Sequence, residues 1–202
     1  MSTEIVFVLD RSGSMSGLED SVIEGFNSFA MEQRKLNEKT SLTTILFDDR
    51  YEILHDGLAL KFVPPLTNKQ YFTRGVTALY DAIGKAISTV SNRASKKHKV
   101  LFVINTDGME NASKEYTAGQ IREMVKFREE HDDWKFIFLG ANIDSFAVGG
   151  NLGIVHSFNV QNTMDGVAAN YTAVSKTTRS FVASAGTQLD TKDLEKLNNT
   201  SQ

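Results

Sequence analysis

Ile5-Val6-Phe7-Val8-Leu9-Asp10-Arg11-Ser12-Gly13-Ser14 opens the chain's first structural element and decides its architecture. Five apolar residues follow one another without a polar break. A strand with one wet face alternates apolar and polar residues, so an unbroken run predicts a strand covered on both faces, as in a parallel sheet. Val100 to Ile104 and Phe136 to Leu139 repeat the pattern. Ser41 to Phe47 is β-branched and reads as another strand, and Ile154 to Val160 is a weaker one. Tyr51 to Leu60 follows the Ser41 strand after only Asp48-Asp49-Arg50. So short a link suits a hairpin, which places one antiparallel strand at the sheet edge.

Helical spacing fills the intervals. Val22, Phe26 and Phe29 fall on one side of Leu18 to Asn37, and Leu79, Ile83, Ile87 and Val90 on one side of Ala78 to Arg93. Ile121, Met124 and Val125 form a weaker stripe in Glu115 to Glu130, and Val167, Tyr171, Val174 and Thr178 mark a last helix over Asp165 to Ala183. Strands alternating with such helices predict βαβ units and a mostly parallel sheet with helices on both faces. The 202 residues suit one domain, taken as 1–185, with a polar and frayed tail over 186–202.

Composition narrows the function. With 41% hydrophobic and 23% charged residues the chain is neither disordered nor fibrous. A net charge of −3 gives no general pull toward nucleic acid or anionic membrane. The absence of cysteine excludes disulfides, a thiol nucleophile and Cys-ligated metals. The run at 5–9 is shorter than the ~7–15 residues of a signal-peptide core, and no stretch reaches the ~18 apolar residues of a membrane span. These features predict a soluble, cytoplasmic protein.

Ligands of open α/β sheets bind beyond the carboxyl ends of the strands. There the sequence places Asp10-Arg11-Ser12-Gly13-Ser14, Asn105-Thr106-Asp107-Gly108 and, before the Ala78 helix, Arg74-Gly75-Val76-Thr77. Two carboxylates and three hydroxyls, all oxygen donors, suit a hard cation such as Mg2+ or Mn2+ that keeps a water or a partner's oxygen.

Asp10-x-Ser12-x-Ser14 after a buried strand, then Gly75-x-Thr77, then Thr106-Asp107-Gly108 at a later strand end, resembles the von Willebrand factor type A domain and its metal-ion-dependent adhesion site. The resemblance spans about residues 3 to 160. It implies a Rossmann-like, doubly wound sheet of six strands, mostly parallel with one antiparallel edge. It further implies a metal held by Asp10, Ser12, Ser14, Thr77 and Asp107. The ion is Mg2+, or Mn2+ or Ca2+, and an Asp or Glu of a partner protein completes its shell. The chain is then a non-enzymatic adaptor, similar to stand-alone intracellular members of bacteria and phages. One departure is Val76, where the family often has a second glycine; it narrows the freedom of that loop. Arg11 and Arg74 flank the metal loops and can pair with a partner's carboxylate or with Asp48 and Asp49.

Local readings compete. Asp10 and Ser12 can cap the helix near Leu18, Thr77 can cap the Ala78 helix, and Asp107-Gly108 is a common turn pair. Lys96-Lys97-His98-Lys99 reads as a solvated helix end, and the four scattered histidines as surface or packing residues. Phosphate-loop, dinucleotide-binding and GxSxG motifs are all missing. The alternative function is Mg2+-dependent phosphoryl transfer resembling haloacid-dehalogenase-type phosphatases, with Asp10 as nucleophile. That chemistry calls for a second Asp two residues on as general acid, where this chain has Ser12.

Overall fold

The computed structural model describes residues 2–36, 39–93 and 98–200. Six strands, β1 (Ser2–Asp10), β2 (Thr40–Phe47), β3 (Tyr51–Ala59), β4 (His98–Thr106), β5 (Lys135–Ala141) and β6 (His156–Val160), form one sheet in the order β3-β2-β1-β4-β5-β6. Every neighbouring pair is parallel except β2 with β3. The fold is the Rossmann-like α/β sheet with one antiparallel edge that the strand pattern predicts. Six α-helices among the described residues accompany it: α1 (Glu19–Arg34), α2 (Leu79–Ser91), α3 (Ala118–Asp132), α4 (Ser145–Asn151), α5 (Met164–Ala183) and α6 (Lys192–Thr200).

Alternation along β1 shows why its run is unbroken. Ile5, Phe7 and Leu9 face a core built with Val22, Phe26 and Phe29 of α1, Tyr171, Val174 and Phe181 of α5 and Leu194 of α6. Val6 and Val8 face the other core, with Leu79, Ile83, Ile87 and Val90 of α2 and Ile121 and Val125 of α3. Over residues 5–9 each face of the strand is therefore dry, and an unpaired polar residue there would be costly.

Two elements differ from the sequence reading. The stretch 186–202, expected as a frayed tail, carries α6, which is docked and not frayed: Leu194 is fully buried, and Leu189 and Leu197 pack beside it. Asn198 Oδ1 also accepts the backbone N–H of Asn159 on β6 (2.7 Å). The short α4, with Gly149 and Gly150 in its last turn, has too weak a helical signal to be anticipated. Asn37 at the expected end of α1, and Lys96 and Lys97 of the basic run, lie outside the described residues. Lys99 of that run pairs with Asp133 (2.7 Å). No helix among the described residues is long and apolar enough to cross a membrane.

Along the sheet the chain proceeds outward in one direction from β1 through β2 and β3, and in the other from β4 through β5 and β6. Between β1 and β4 lies the point where such sheets open a crevice. Leu9 pairs with Asn105 there, so Asp10 and Thr106 leave the sheet side by side.

Candidate metal centre

Asp10 ends β1 with its carboxylate buried and held on both oxygens. Oδ1 accepts the Ser12 N–H (2.7 Å) and Oδ2 accepts the Thr106 hydroxyl (2.5 Å). The first bond curls the loop back over the strand end. A single 3-10 turn, Gly13–Met15, follows and carries Ser14 across the crevice. Ser12 and Ser14 share a hydrogen bond between hydroxyls (3.0 Å), and Ser14 Oγ donates to Asp107 Oδ1 (2.5 Å). Asp107 Oδ2 accepts the amide of Asn162, at the start of the loop into α5 (3.1 Å). Four of the five sequence-predicted residues thus form one connected chain of bonds.

Thr77 joins them by proximity. A Cβ built on Gly108 would lie 2.7 Å from Thr77 Oγ1 and 3.2 Å from Ser14 Oγ, so only a glycine lets the three loops meet there. Thr77 is buried, its N–H donates to Asn111 Oδ1 (3.0 Å) and its carbonyl accepts the Asn111 N–H (3.0 Å). Ala78, not Thr77, is the N-cap of α2, and Leu18 is the N-cap of α1. The capping readings of Thr77, Asp10 and Ser12 are therefore corrected; Ser12 leads only the 3-10 turn and makes no side-chain cap bond. Gly75 takes a positive φ of 68°, the conformation that needs a glycine, and its carbonyl accepts the Gly13 N–H (3.2 Å). Val76 keeps an ordinary negative φ, so its branched side chain is accommodated and points outward.

The electrostatics are one-sided. Burial pushes the Asp10 carboxyl up to about 6, against the Thr106 and Ser12 hydrogen bonds that favour its ionised form. Burial raises Asp107 as well, opposed by Ser14 and Asn162. Both carboxylates bond only to uncharged groups. The nearby arginines are spoken for: Arg11 Nε (2.9 Å) and Arg74 Nε (2.7 Å) both donate to Asp48 Oδ2. Burial alone would raise Asp48, but the bonds from Arg74 and the Arg50 N–H, with Arg11 beside it, hold it below the usual range. Arg11 also donates to Glu52 Oε2 (2.8 Å) and the Gln70 carbonyl (3.2 Å), and its side chain is fully buried. Of the two roles open to Arg11 in the sequence, pairing with Asp48 is the one found. Its neighbours on either side, Asp10 and Ser12, are thereby fixed by an ion network spanning β1, β2, β3 and the 70–74 loop.

Among the described residues no three His, Asp or Glu side chains gather as a metal-holding group. The donor set instead consists of two carboxylates and three hydroxyls, with a glycine floor at Gly108. Oxygen donors around an uncompensated buried charge fit a hard divalent cation. Thr106 and Gly108, part of the motif quoted from the sequence but not counted among its metal ligands, support this arrangement, as do Asn111 and Asn162, which the sequence did not single out. Two of the histidines take packing roles: His55, buried, contacts the Thr44 hydroxyl (3.0 Å) and stacks on Phe26, and His131 stacks on Phe127.

No family model and no curated protein matches the sequence. Solved structures do match its fold. The PilB minor pilin of Streptococcus sanguinis aligns with a TM-score of 0.63 at 11% identity, covering 87% of this chain and 61% of that one. Proximal thread matrix protein 1 of the mussel byssus aligns with a TM-score of 0.60 at 17% identity, over 87% of this chain and 45% of that one. A further structure of the mussel protein, described as having a zinc-occupied MIDAS motif, aligns at 0.58 and 16% identity, over 86% and 45%. This chain therefore spans about half to three-fifths of the length of these proteins. At such identities the likeness is one of fold: the chain has a Rossmann-like α/β architecture similar to that of these proteins.

Proposed function

We propose that the chain is a non-enzymatic, divalent-cation-dependent protein-binding module. In this reading Asp10, Ser12, Ser14, Thr77 and Asp107 hold the ion, and an Asp or Glu of a partner protein completes its shell. The observation that carries it is the pair of buried carboxylates, Asp10 and Asp107, linked through Ser12 and Ser14 and bonded only to uncharged groups. A bound cation would supply the missing counter-charge and, with only two carboxylates against it, keep an attraction for a third. Mg2+ suits an all-oxygen set of this size, with Mn2+ and Ca2+ as the other hard ions.

The chain's own residues divide the work. Asp10 and Asp107 provide charge from two adjacent strand ends. Thr106 and Asn162 hold those carboxylates in orientation by occupying their outer oxygens. Ser14 is the exposed member of the five, so the side of the centre that it borders is the side open to a partner. The zinc-occupied motif of the structurally similar mussel protein supports a cation in this fold. The phosphoryl-transfer alternative gains no support from the geometry or from the similar structures.

The test is affinity capture from the native host's lysate with the full chain as bait, in Mg2+, in EDTA, and with Asp107→Ala. A protein retained only by the parent chain in Mg2+ is the expected outcome. Retention indifferent to both EDTA and the substitution would refute the metal-bridged contact.

A further inference from the structure

Ten large apolar side chains are exposed among the described residues, and four of them ring the candidate centre. Val76 is 49% exposed and adjoins Thr77. Met109 is 72% exposed and adjoins Gly108, with Asn111 tying its loop to Thr77. Met164 is 68% exposed and lies two residues beyond Asn162, the donor to Asp107. Phe72, also exposed, follows Tyr71, whose hydroxyl donates to the Asp10 carbonyl (2.6 Å). Its ring lies under the guanidinium groups of Arg74 (5.2 Å) and Arg11 (5.4 Å). Val76, Met109 and Met164 are thus one or two residues from groups of the centre or its support, Phe72 adjoins the residue bonded to the Asp10 carbonyl, and the four come from two loops and the first turn of α5.

Charges farther out have the same sign as the carboxylate that a bound cation attracts. Glu19 accepts the Thr73 hydroxyl (2.6 Å), Asp49 approaches Gly75, and Asp165 follows Met164. A partner carrying a tract of acids would meet these carboxylates with like charge, and only the acid on the ion would be compensated. Apolar neighbours would instead cover Val76, Met109 and Met164, and methionine adapts its shape to such contacts.

We infer that the centre recognises a single Asp or Glu flanked by apolar side chains on a protein segment, and discriminates against acids in polar or acidic surroundings. This rests on the metal-dependent reading proposed above and adds the chemistry of the partner. The metal supplies the one charged contact, and the collar of Val76, Met109, Met164 and Phe72 supplies selectivity among carboxylates.

Three immobilised synthetic peptides test it against the full chain in Mg2+ and in EDTA: one Asp between leucines, one Asp between serines, and one Asn between leucines. The expected result is Mg2+-dependent binding of both Asp peptides, with the leucine-flanked one about tenfold tighter. The double substitution Val76→Ser and Met109→Ser, at exposed positions where folding is unaffected, brings it to the level of the serine-flanked peptide. Equal, Mg2+-dependent binding of both Asp peptides overturns the collar and leaves the metal reading intact. Leucine-flanked Asp and Asn peptides bound equally well, with or without Mg2+, overturn the metal reading and the inference with it. No binding of any peptide in Mg2+ overturns the inference, because the collar would then add no usable affinity.

Discussion

Asp10 carries a proton-linked penalty. Its folded value of about 6 exceeds the ordinary carboxyl value of 3.8, because burial disfavours the charge. A raised acid destabilises the fold as it ionises: nothing is lost below pH 4, loss grows between 4 and 6, and it is complete above 6. Asp10→Asn removes the charge. In EDTA that variant is expected to be about 1–2 kcal/mol more stable than the parent at pH 8, the gap closing toward pH 4. Urea unfolding at the two pH values measures it; a variant that is less stable at pH 8 would show that the carboxylate is a structural hydrogen-bond acceptor and no burden. Part of this residue-scale picture is legible in the sequence, since strand ends place the loops that carry Asp10, Ser12, Ser14, Thr77 and Asp107, and the family resemblance singles those five out. What is not legible is which side chains lean across loops. Asn162 reaches Asp107 over 55 residues of chain, and Arg11, whose position beside Asp10 left a surface role open, is drawn fully inside by Asp48 and Glu52.

Elements were readable in proportion to their apolar periodicity. Five of the six strands and the four long helices each carry buried residues at the spacing that announces them, while β3, mostly exposed, is announced by its short link to β2; their existence follows and only their ends shift. The two short helices fail for opposite reasons. In α4 the signal is diluted by glycines, and in α6 the apolar positions, Leu194 and Leu197, are outnumbered by polar ones. A polar helix with one fully buried leucine depends on that leucine. Leu194→Ala is expected to lower stability by about 2–4 kcal/mol in urea unfolding. A change under half a kcal/mol would return 186–202 to the status of a loose tail.

For the molecule as a whole, a cation that binds only the folded chain must raise its stability by mass action. At about 100 times its dissociation constant Mg2+ adds about 2.7 kcal/mol, a rise of roughly 5–10 °C in melting temperature for a chain of this size. EDTA and Asp107→Ala should each abolish the rise. A melting temperature indifferent to saturating Mg2+, Mn2+ and Ca2+ would remove the centre altogether. The sheet has two outer strands, and the acceptance of the Asn159 N–H by Asn198 marks how β6 is finished. An outer strand presents a row of unsatisfied amides that can template another strand. The C-terminal helix takes one of those amides and lies against β6, so it stands where a neighbouring molecule would otherwise extend the sheet. Loosening that helix would cost more than local order: it would bare β6 as an edge along which chains could polymerise.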